Sequence, residues 1–446
     1  MTMSKPGMRI AAMTGAILTV ATLAQGNALA DGAKQVSKPE DVAVGTRLAA
    51  RSDPAVVLIE LRYTGTVLVP VPSRTRAFDA LTARARKHAK AGRIPSDQQS
   101  QIKWILRTAS ANVSRYLKPA KQSIKLKNQS VGGHCTGWWI TPNGYMVTGS
   151  HCVGFANSLL RQRFGAGVLP VINAQEVKNY LKSIVGVAQP DDEMVRLAGT
   201  LFGGFNTKNM RVTGVRRGIG VVRALPGGGR DATSKVTPLR LVARGLDYPG
   251  EDFALLKLNG ARNLPTVPLG SDADVQVGDE LYINGFPGVI TTSPAFNPKS
   301  KMYPALTQGA FNARRTTISG VPYIQAQAPS YGGNSGGPVF DKRGRVIGTL
   351  IAGTGDDAQE NQSYILPVGI IKKHLAAAGV KPVQSRTSLL YGAALDDFFA
   401  RRYRAALPKF RQVRALYPAH PYVAGYLRDT RAAIAAGRDR TPRNGA

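Results

Sequence analysis

Short apolar runs separated by turn residues recur along most of the chain. Ala55-Val-Val-Leu-Ile-Glu-Leu-Arg-Tyr63 has the aliphatic, β-branched character of a strand. Thr136-Gly-Trp-Trp-Ile140 and Tyr145-Met-Val-Thr148 flank the turn Thr141-Pro-Asn-Gly144. An Asn-Gly pair between two apolar runs predicts a hairpin. Further short strands are expected from Met210 to Leu258 and from Thr266 onward, ending in Tyr364-Ile-Leu-Pro367 and a short helix near Ile371. Gly227-Gly228-Gly229 marks a turn between two of them. Regularly spaced strands with Gly- and Pro-rich connections indicate an all-β core rather than a helical bundle.

Three stretches break the pattern. Arg74–Lys127 reads as basic and largely helical, so residues 70–130 form an expected insertion. Within it Ala80–Ala91 lacks internal Gly and Pro, and Gln98–Leu117 carries Trp104, Ile105, Val113 and Leu117 as apolar positions. A second insertion is expected over about 155–208, with helical signals near Ala174–Val185 and Asp191–Ala198. Insertions in surface loops between strands cost little. The third stretch, Ser388–Ala436, follows the linker Val380-Lys-Pro-Val-Gln-Ser385 and is helical and Arg-rich. Its Tyr403, Ala406, Phe410 and Pro418 fall at the spacing of one tetratricopeptide-type unit. Such units gain stability by stacking, so a single one is expected as a helical hairpin packed on the β domain over residues 388–436, with 437–446 as a disordered tail.

Composition then adds compartment and charge. Lys5 and Arg9, the apolar run Ile10–Ala24 and Ala28-Leu29-Ala30 make residues 1–30 an expected signal peptide cleaved near Ala30, which implies a secreted or periplasmic protein. In an exported chain the two cysteines, Cys135 and Cys152, are expected to form one disulfide. Two cysteines without a matching His cluster make a poor zinc site, and no metal or organic cofactor is called for. The 59 basic and 27 acidic residues leave a formal charge of +32. Residues 70–130 hold 14 basic and 2 acidic residues, and the segment from Gln384 holds 12 and 4. Two readings of that surface stand side by side, attraction of an anionic envelope polymer or lipid through the basic insertions and a solvated basic coat with no dedicated ligand, while no nucleic-acid fold signature is present.

The decisive chemistry lies in Gly332-Gly-Asn-Ser-Gly-Gly-Pro338, which leads into Val339-Phe340. A serine hydroxyl is a weak nucleophile and needs a base and a pocket for the oxyanion. Glycines on both sides permit unusual backbone angles, so the amides of Gly333 and Ser335 can converge on one oxygen. Among five histidines (His88, His134, His151, His374, His420), His151 follows the strand Tyr145–Thr148, where a turn delivers a side chain to a domain edge beside Cys152. A carboxylate must then hold the imidazole in one tautomer. Asp252 precedes the apolar run Phe253-Ala-Leu-Leu-Lys-Leu258, with Asp247 and Glu251 as nearby alternatives.

Thr148-Gly-Ser-His-Cys152, Asp252-Phe-Ala-Leu-Leu-Lys257 and Gly333-Asn-Ser-Gly-Gly-Pro338 resemble the three signatures of trypsin-like serine peptidases. Asn334 and Tyr364-Ile-Leu-Pro367 look closest to the bacterial HtrA (Deg) branch, whereas the Cys135–Cys152 spacing resembles the disulfide beside the catalytic histidine of animal trypsins. The resemblance implies two six-stranded antiparallel β-barrels with a His151–Asp252–Ser335 triad in the cleft between them. It covers about residues 51–70, 131–154 and 210–375, inside a peptidase domain expected over 31–383. It places Pro329 and Ser330 at the base of the specificity pocket and Ile351, Ala352 and Gly353 on its wall. No acidic residue sits at that base, which implies cleavage after small or medium apolar residues, although Asp356, Asp357 and Glu360 follow in a loop.

The chain departs from the family in its 101-residue gap from His151 to Asp252, and no PDZ-like segment is expected after the peptidase domain. It also carries Asn334 where vertebrate trypsins have an Asp that pairs with a freed N-terminus. The function expected is a serine endopeptidase acting on peptide or protein substrates through an acyl-enzyme. The alternatives are a latent envelope-associated binding protein on a protease fold, and an esterase.

Overall fold

The longest aliphatic run makes the longest paired element. In this computed structural model, which describes residues 42–224, 236–291, 293–297, 303–353 and 362–442, β1 (Val56–Arg74) runs antiparallel to β2 (Leu117–Trp139) from Val56↔Trp138 to Arg74↔Leu117. The sheet continues with β3 (Tyr145–Thr148), β4 (Arg211–Val222), β5 (Val236–Pro238), β6 (Arg240–Arg244) and β7 (Ala254–Lys257). Its seven strands lie in the order β5-β4-β1-β2-β3-β7-β6. The second β unit is a closed six-stranded barrel of β8 (Glu280–Gly285), β9 (Ala305–Thr316), β10 (Pro322–Gln327), β11 (Pro338–Phe340), β12 (Val346–Gly353) and β13 (Ser363–Pro367). Of the two expected six-stranded barrels, one is therefore closed, and the other takes the form of a seven-stranded antiparallel sheet.

Three apolar clusters account for the β architecture. Leu281, Ile283, Phe311, Ile324, Val339, Ile347 and Ile365 fill the barrel. Ile59, Trp139, Met146, Val221 and Leu256 form a second cluster on strands of the sheet. Leu58, Trp138, Val147 and Leu255 of the sheet share the third with Tyr282, Tyr323, Phe340 and Leu366 of the barrel. Fully burying a large aliphatic or aromatic side chain contributes about 1.5–3 kcal/mol. This shared core therefore fixes the two β units against each other, and the loops at their seam inherit that rigidity.

Helices add three further pieces. Val44–Ser52 (α1) leads into β1. Between β1 and β2 lie α2 (Arg76–Lys90), α3 (Gln98–Ala111) and α4 (Val113–Tyr116), and between β3 and β4 lie α5 (Asn157–Ile184) and α6 (Asp192–Asn209). The first insertion is thus helical only over 76–116. Residues 70–74 and 117–130 are strand, a correction to the helical reading of 74–127. Lys118, Lys121, Lys125 and Lys127 hid the alternation of Ile124 and Leu126, because the ribbon carries apolar residues on one face only.

The two insertions, separated in sequence by residues 117–156, form one helical body. Phe78, Leu81, Leu106, Ala109, Val177, Ala198, Leu201 and Phe205 share its core. Lys103 bridges Asp191 at 2.5 Å and Glu193 at 3.0 Å, tying α3 to the start of α6. Asp191 also caps α6 by accepting from the Met194 amide at 3.0 Å. The long α5 was under-read because Gly165, Gly167 and Pro170 interrupt its sequence, yet the helix continues through them.

After a one-turn α7 (Gly288–Thr291) and α8 (Val368–Ala377) the chain ends in α9 (Arg386–Phe399), α10 (Tyr403–Leu416) and α11 (Val423–Ala435). Three helices stand where a tetratricopeptide-like hairpin was expected over 388–436. They share a core of Tyr391, Leu395, Ala406, Phe410, Val413 and Leu427. Ser388 Oγ accepts from the Thr266 amide at 2.7 Å and donates to the Thr266 carbonyl at 2.8 Å, docking the unit on the peptidase domain. Of the expected tail, residues up to 442 are tied down: Asp439 accepts from the Arg404 amide at 3.0 Å. The signal-peptide segment, the Gly227–Gly229 turn and the Asp356–Glu360 loop lie outside the described residues. Among the described residues no helix is long and apolar enough to cross a membrane.

Candidate active site

The pairing of β3 with β7 decides where the base and its carboxylate meet. Thr148 lies opposite Ala254, so the turn after β3 and the residues before β7 emerge side by side. Asp252 has only 1% of its side chain exposed, while His151 keeps 35%. Asp252 Oδ2 accepts from His151 Nδ1 at 2.8 Å and from the Tyr248 amide at 3.0 Å. Its Oδ1 accepts from the His151 amide at 3.1 Å. Nδ1 therefore carries the proton, which leaves Nε2 as the basic atom.

Burial is the largest influence on both groups and disfavours both charges. For His151, the hydrogen bond and charge of Asp252, helped by Asp247, outweigh burial and Arg244, and its pKa is raised. For Asp252, the hydrogen bond and charge of His151, with the Tyr248 and His151 amides, prevail in turn and lower its pKa. The ion pair thus gains more from its internal hydrogen bonds than it loses to desolvation.

The alternative carboxylates have other partners. Asp247 accepts from Ser150 Oγ at 2.6 Å and from Arg244 at 2.8 Å, which staples the turn before His151. Glu251 lies 2.7 Å from His374 Nε2. His88 packs on Trp104 and His420 is buried against Tyr391, both away from this cleft.

Ser335 arrives from the barrel on a loop that only glycine can bring this close. Gly336 has φ +84°, and an added Cβ would lie 2.1 Å from Thr148 Oγ1 and 2.4 Å from the Thr136 carbonyl. The Thr136 amide donates to the Ser335 carbonyl at 2.9 Å. Cys152 Sγ lies 3.5 Å from that carbonyl oxygen and 3.6 Å from His151 Nε2. Cys135 and Cys152 form the expected disulfide, so β2 is bonded to the turn that carries the base. The Ser335 hydroxyl donates to the Ile351 carbonyl at 3.3 Å.

Gly333 sits at φ +103°, a region other residues rarely adopt, with the Phe286 carbonyl 2.5 Å and the Gly288 amide 2.8 Å from where a Cβ would stand. Thr136 Oγ1 donates to the Gly333 carbonyl at 2.8 Å and accepts from the Phe286 amide at 2.9 Å. Among the described residues the amides of Gly333 and Ser335 have no intramolecular acceptor. The Asn334 amide between them is used locally, donating to the Tyr331 carbonyl at 3.0 Å. Sequence reasoning missed Thr136, which is fully buried; nothing local distinguishes it from any other threonine in a strand.

The residues assigned to the specificity pocket do gather. Ser330 and Ile351 are buried, and the Ser330 and Ser363 hydroxyls lie 2.8 Å apart. A Cβ on Gly353 would stand 2.6 Å from Ser330 Oγ, so Gly353 faces Ser330, with Ala352 half-buried beside it.

Residues 135–348 match the trypsin-like peptidase domain family. The chain is 36% identical over 103 residues to a DegP-like periplasmic serine endoprotease of Pseudomonas putida strain F1, covering 22% of this chain and 19% of that protein. It is 30% identical over 135 residues to the serine protease HhoA of Synechocystis, covering 29% and 32% respectively. The matched stretch thus spans about a fifth to a third of the length of these relatives. Among solved structures, an HtrA-type protease AlgW with a decapeptide aligns at a TM-score of 0.37 and 16% identity, over 76% of this chain and 67% of that one. Residues 135–348 thus match a trypsin-like peptidase domain, and parts of the chain are similar to DegP-like and HhoA serine proteases.

Proposed function

We propose that the protein is a periplasmic or secreted serine endopeptidase that cleaves polypeptides through an acyl-enzyme on Ser335. The observation that carries this reading is the buried Asp252 hydrogen-bonded to His151 Nδ1 at 2.8 Å, at the seam where the Ser335 loop reaches β2 and β3. His151 Nε2 takes the Ser335 proton as Oγ attacks the scissile carbonyl, and Asp252 stabilises the imidazolium. The free amides of Gly333 and Ser335 receive the oxyanion, where preorganised donors are most effective. The imidazolium then protonates the leaving amine, and water repeats the sequence to release the acid. In the resting site the Ser335 hydroxyl is engaged by the Ile351 carbonyl; substrate binding turns it toward the base. The absence of an acidic side chain at Ser330, Ile351, Ala352 and Gly353 favours a small or medium apolar side chain before the cleaved bond.

The test is labelling with a fluorophosphonate probe together with casein cleavage, in wild type and Ser335→Ala. Both signals should vanish in the variant while the circular dichroism spectrum is retained. Casein cleavage at the wild-type rate by Ser335→Ala would place the active centre elsewhere. A wild type that neither labels nor cleaves would favour a binding protein on a protease fold.

A further inference from the structure

Beside the oxyanion loop, Gly332, Gly333 and Gly288 border an open groove that continues over Gly132, Ser130, Glu60 and Arg62. None of the specificity-pocket residues lines it. It therefore leads away from the pocket and onto the ribbon formed by β4, β1 and β2.

One face of that ribbon is covered. Tyr63, Val67, Val69, Ile124, Leu126 and Val212 pack beneath Leu160, Phe164 and Val168 of α5. The other face is open and basic. Arg62 lies opposite Gly132 and Gly218, Thr64 opposite Arg216, and Leu68 opposite both Lys125 and Arg211. Residues directly opposite in a ladder point to the same face, so Arg62, Arg216, Lys125 and Arg211 share it, and all four are exposed. Residues 61–74, 117–134 and 211–220 contain no Asp or Glu. The carboxylate that precedes this stretch on β1 is Glu60 at the groove, which binds Arg62 through Nε at 2.8 Å and Nη2 at 2.6 Å. Arg62 is thereby neutralised at the mouth, where Arg163 is engaged by the Gly132 carbonyl and the Phe155 ring, and on the open face of the ribbon the uncompensated charge begins farther along.

We propose that this face is a substrate-binding surface, and that it selects acidic polypeptide segments on the leaving-group side of the cleaved bond. The proposal rests on the peptidase reading and adds to it the substrate class. From Arg62 to the level of Leu68 the face extends about 20 Å at about 3.3 Å per residue. An extended chain leaving the active site thus meets Arg216 first and then Lys125 and Arg211. Carboxylates several positions downstream gain most, and carboxylates next to the cleaved bond gain little because Glu60 already occupies Arg62. The attraction is to exposed charges and is screened by salt over about 8 Å at physiological ionic strength.

Peptides with one shared acyl-side sequence and ten downstream residues, either Glu-rich or Lys-rich in the distal half, test this with the full chain. Exposed pairs of about twofold each predict kcat/KM for the Glu-rich peptide about tenfold above that of a neutral control at low salt. The gain should lie in KM, not kcat, and should fade at high salt. The triple variant Lys125→Glu, Arg211→Glu, Arg216→Glu should reverse the preference while cleaving a peptide without a downstream extension at the wild-type rate.

Equal kcat/KM for the Glu-rich, neutral and Lys-rich peptides, with cleavage still dependent on Ser335, overturns this inference and leaves the peptidase reading standing. A preference for acidic residues upstream of the bond overturns it too. So does a triple variant that loses co-sedimentation with anionic vesicles but keeps the peptide preference, because the face would then serve a lipid surface. Absence of Ser335-dependent cleavage on every peptide is instead a failure of the peptidase reading.

Discussion

The two halves of the candidate site are built by different means. The sheet supplies His151 and Asp252, held by directional bonds: three hydrogen bonds converge on the Asp252 carboxylate, and Ser150, Arg244 and Asp247 brace the turn. The barrel supplies Ser335 mainly by close approach, through glycines that leave no room for a Cβ. Thr136 links the halves, because this sheet residue bonds both the Ser335 and Gly333 carbonyls of the barrel loop. The bonded half is tuned by charge, whereas the glycine half is tuned by shape.

The sharpest break of that contrast is Asp252→Asn, which keeps the shape and removes the charge. It should lower kcat by about 10⁴ with little change in melting temperature, because the amide favours the wrong tautomer of His151. In the wild type the Asp252 partnership raises the His151 pKa. As a base must be neutral, the acid limb of kcat/KM should lie above the ordinary imidazole value of about 6.5. Any residual activity of the variant should have its limb moved down, since burial alone disfavours the imidazolium. A pH–rate series on both proteins measures the order of the two limbs.

Gly336→Ala attacks the shape half. Its Cβ would meet Thr148 Oγ1 and the Thr136 carbonyl, so Ser335 must move away from His151. Misplacement by about 1 Å costs on the order of 10² in rate. Here kcat and thermal stability should fall together, and the acid limb should stay put.

Thr136→Val tests the link between the halves. It keeps the volume but removes the bonds to the Gly333 carbonyl and from the Phe286 amide. Unsatisfied buried polar groups cost about 1–3 kcal/mol each, and about tenfold in kcat should go with the loosened oxyanion loop. An unchanged kcat would show that Gly333 needs no help from the sheet.

Removing the disulfide with Cys135→Ser and Cys152→Ser should have the smallest effect on rate. A loop of this length is stabilised by about 3 kcal/mol on the entropic account, so denaturant midpoints should fall well before kcat does. A large kcat loss at full folding would instead assign the sulfurs beside Nε2 a direct part in holding the base.

The catalytic candidates were legible because each lies in a local context with its own physical demand. Gly-Asn-Ser-Gly-Gly announces a tight turn, Asp252 a strand start, and Thr148-Gly-Ser-His-Cys152 a strand end. Thr136 was not legible, since its role consists of two contacts nearly two hundred residues away in sequence. The extent of β2 was misread because exposed lysines on one face of a ribbon resemble a solvated helix.

The sequence by itself determined the β core, the order of the three catalytic candidates, the cysteine pair and the excess of positive charge. These depend on residue type and short-range spacing, which the chain carries without folding. Only the tertiary structure decided that the first β unit is a seven-stranded sheet, that two distant insertions share one core, and that Arg62, Lys125, Arg211 and Arg216 stand on one face. Strand register sets all of these, and register is a property of long-range pairing: a shift of one residue would turn that basic face toward α5.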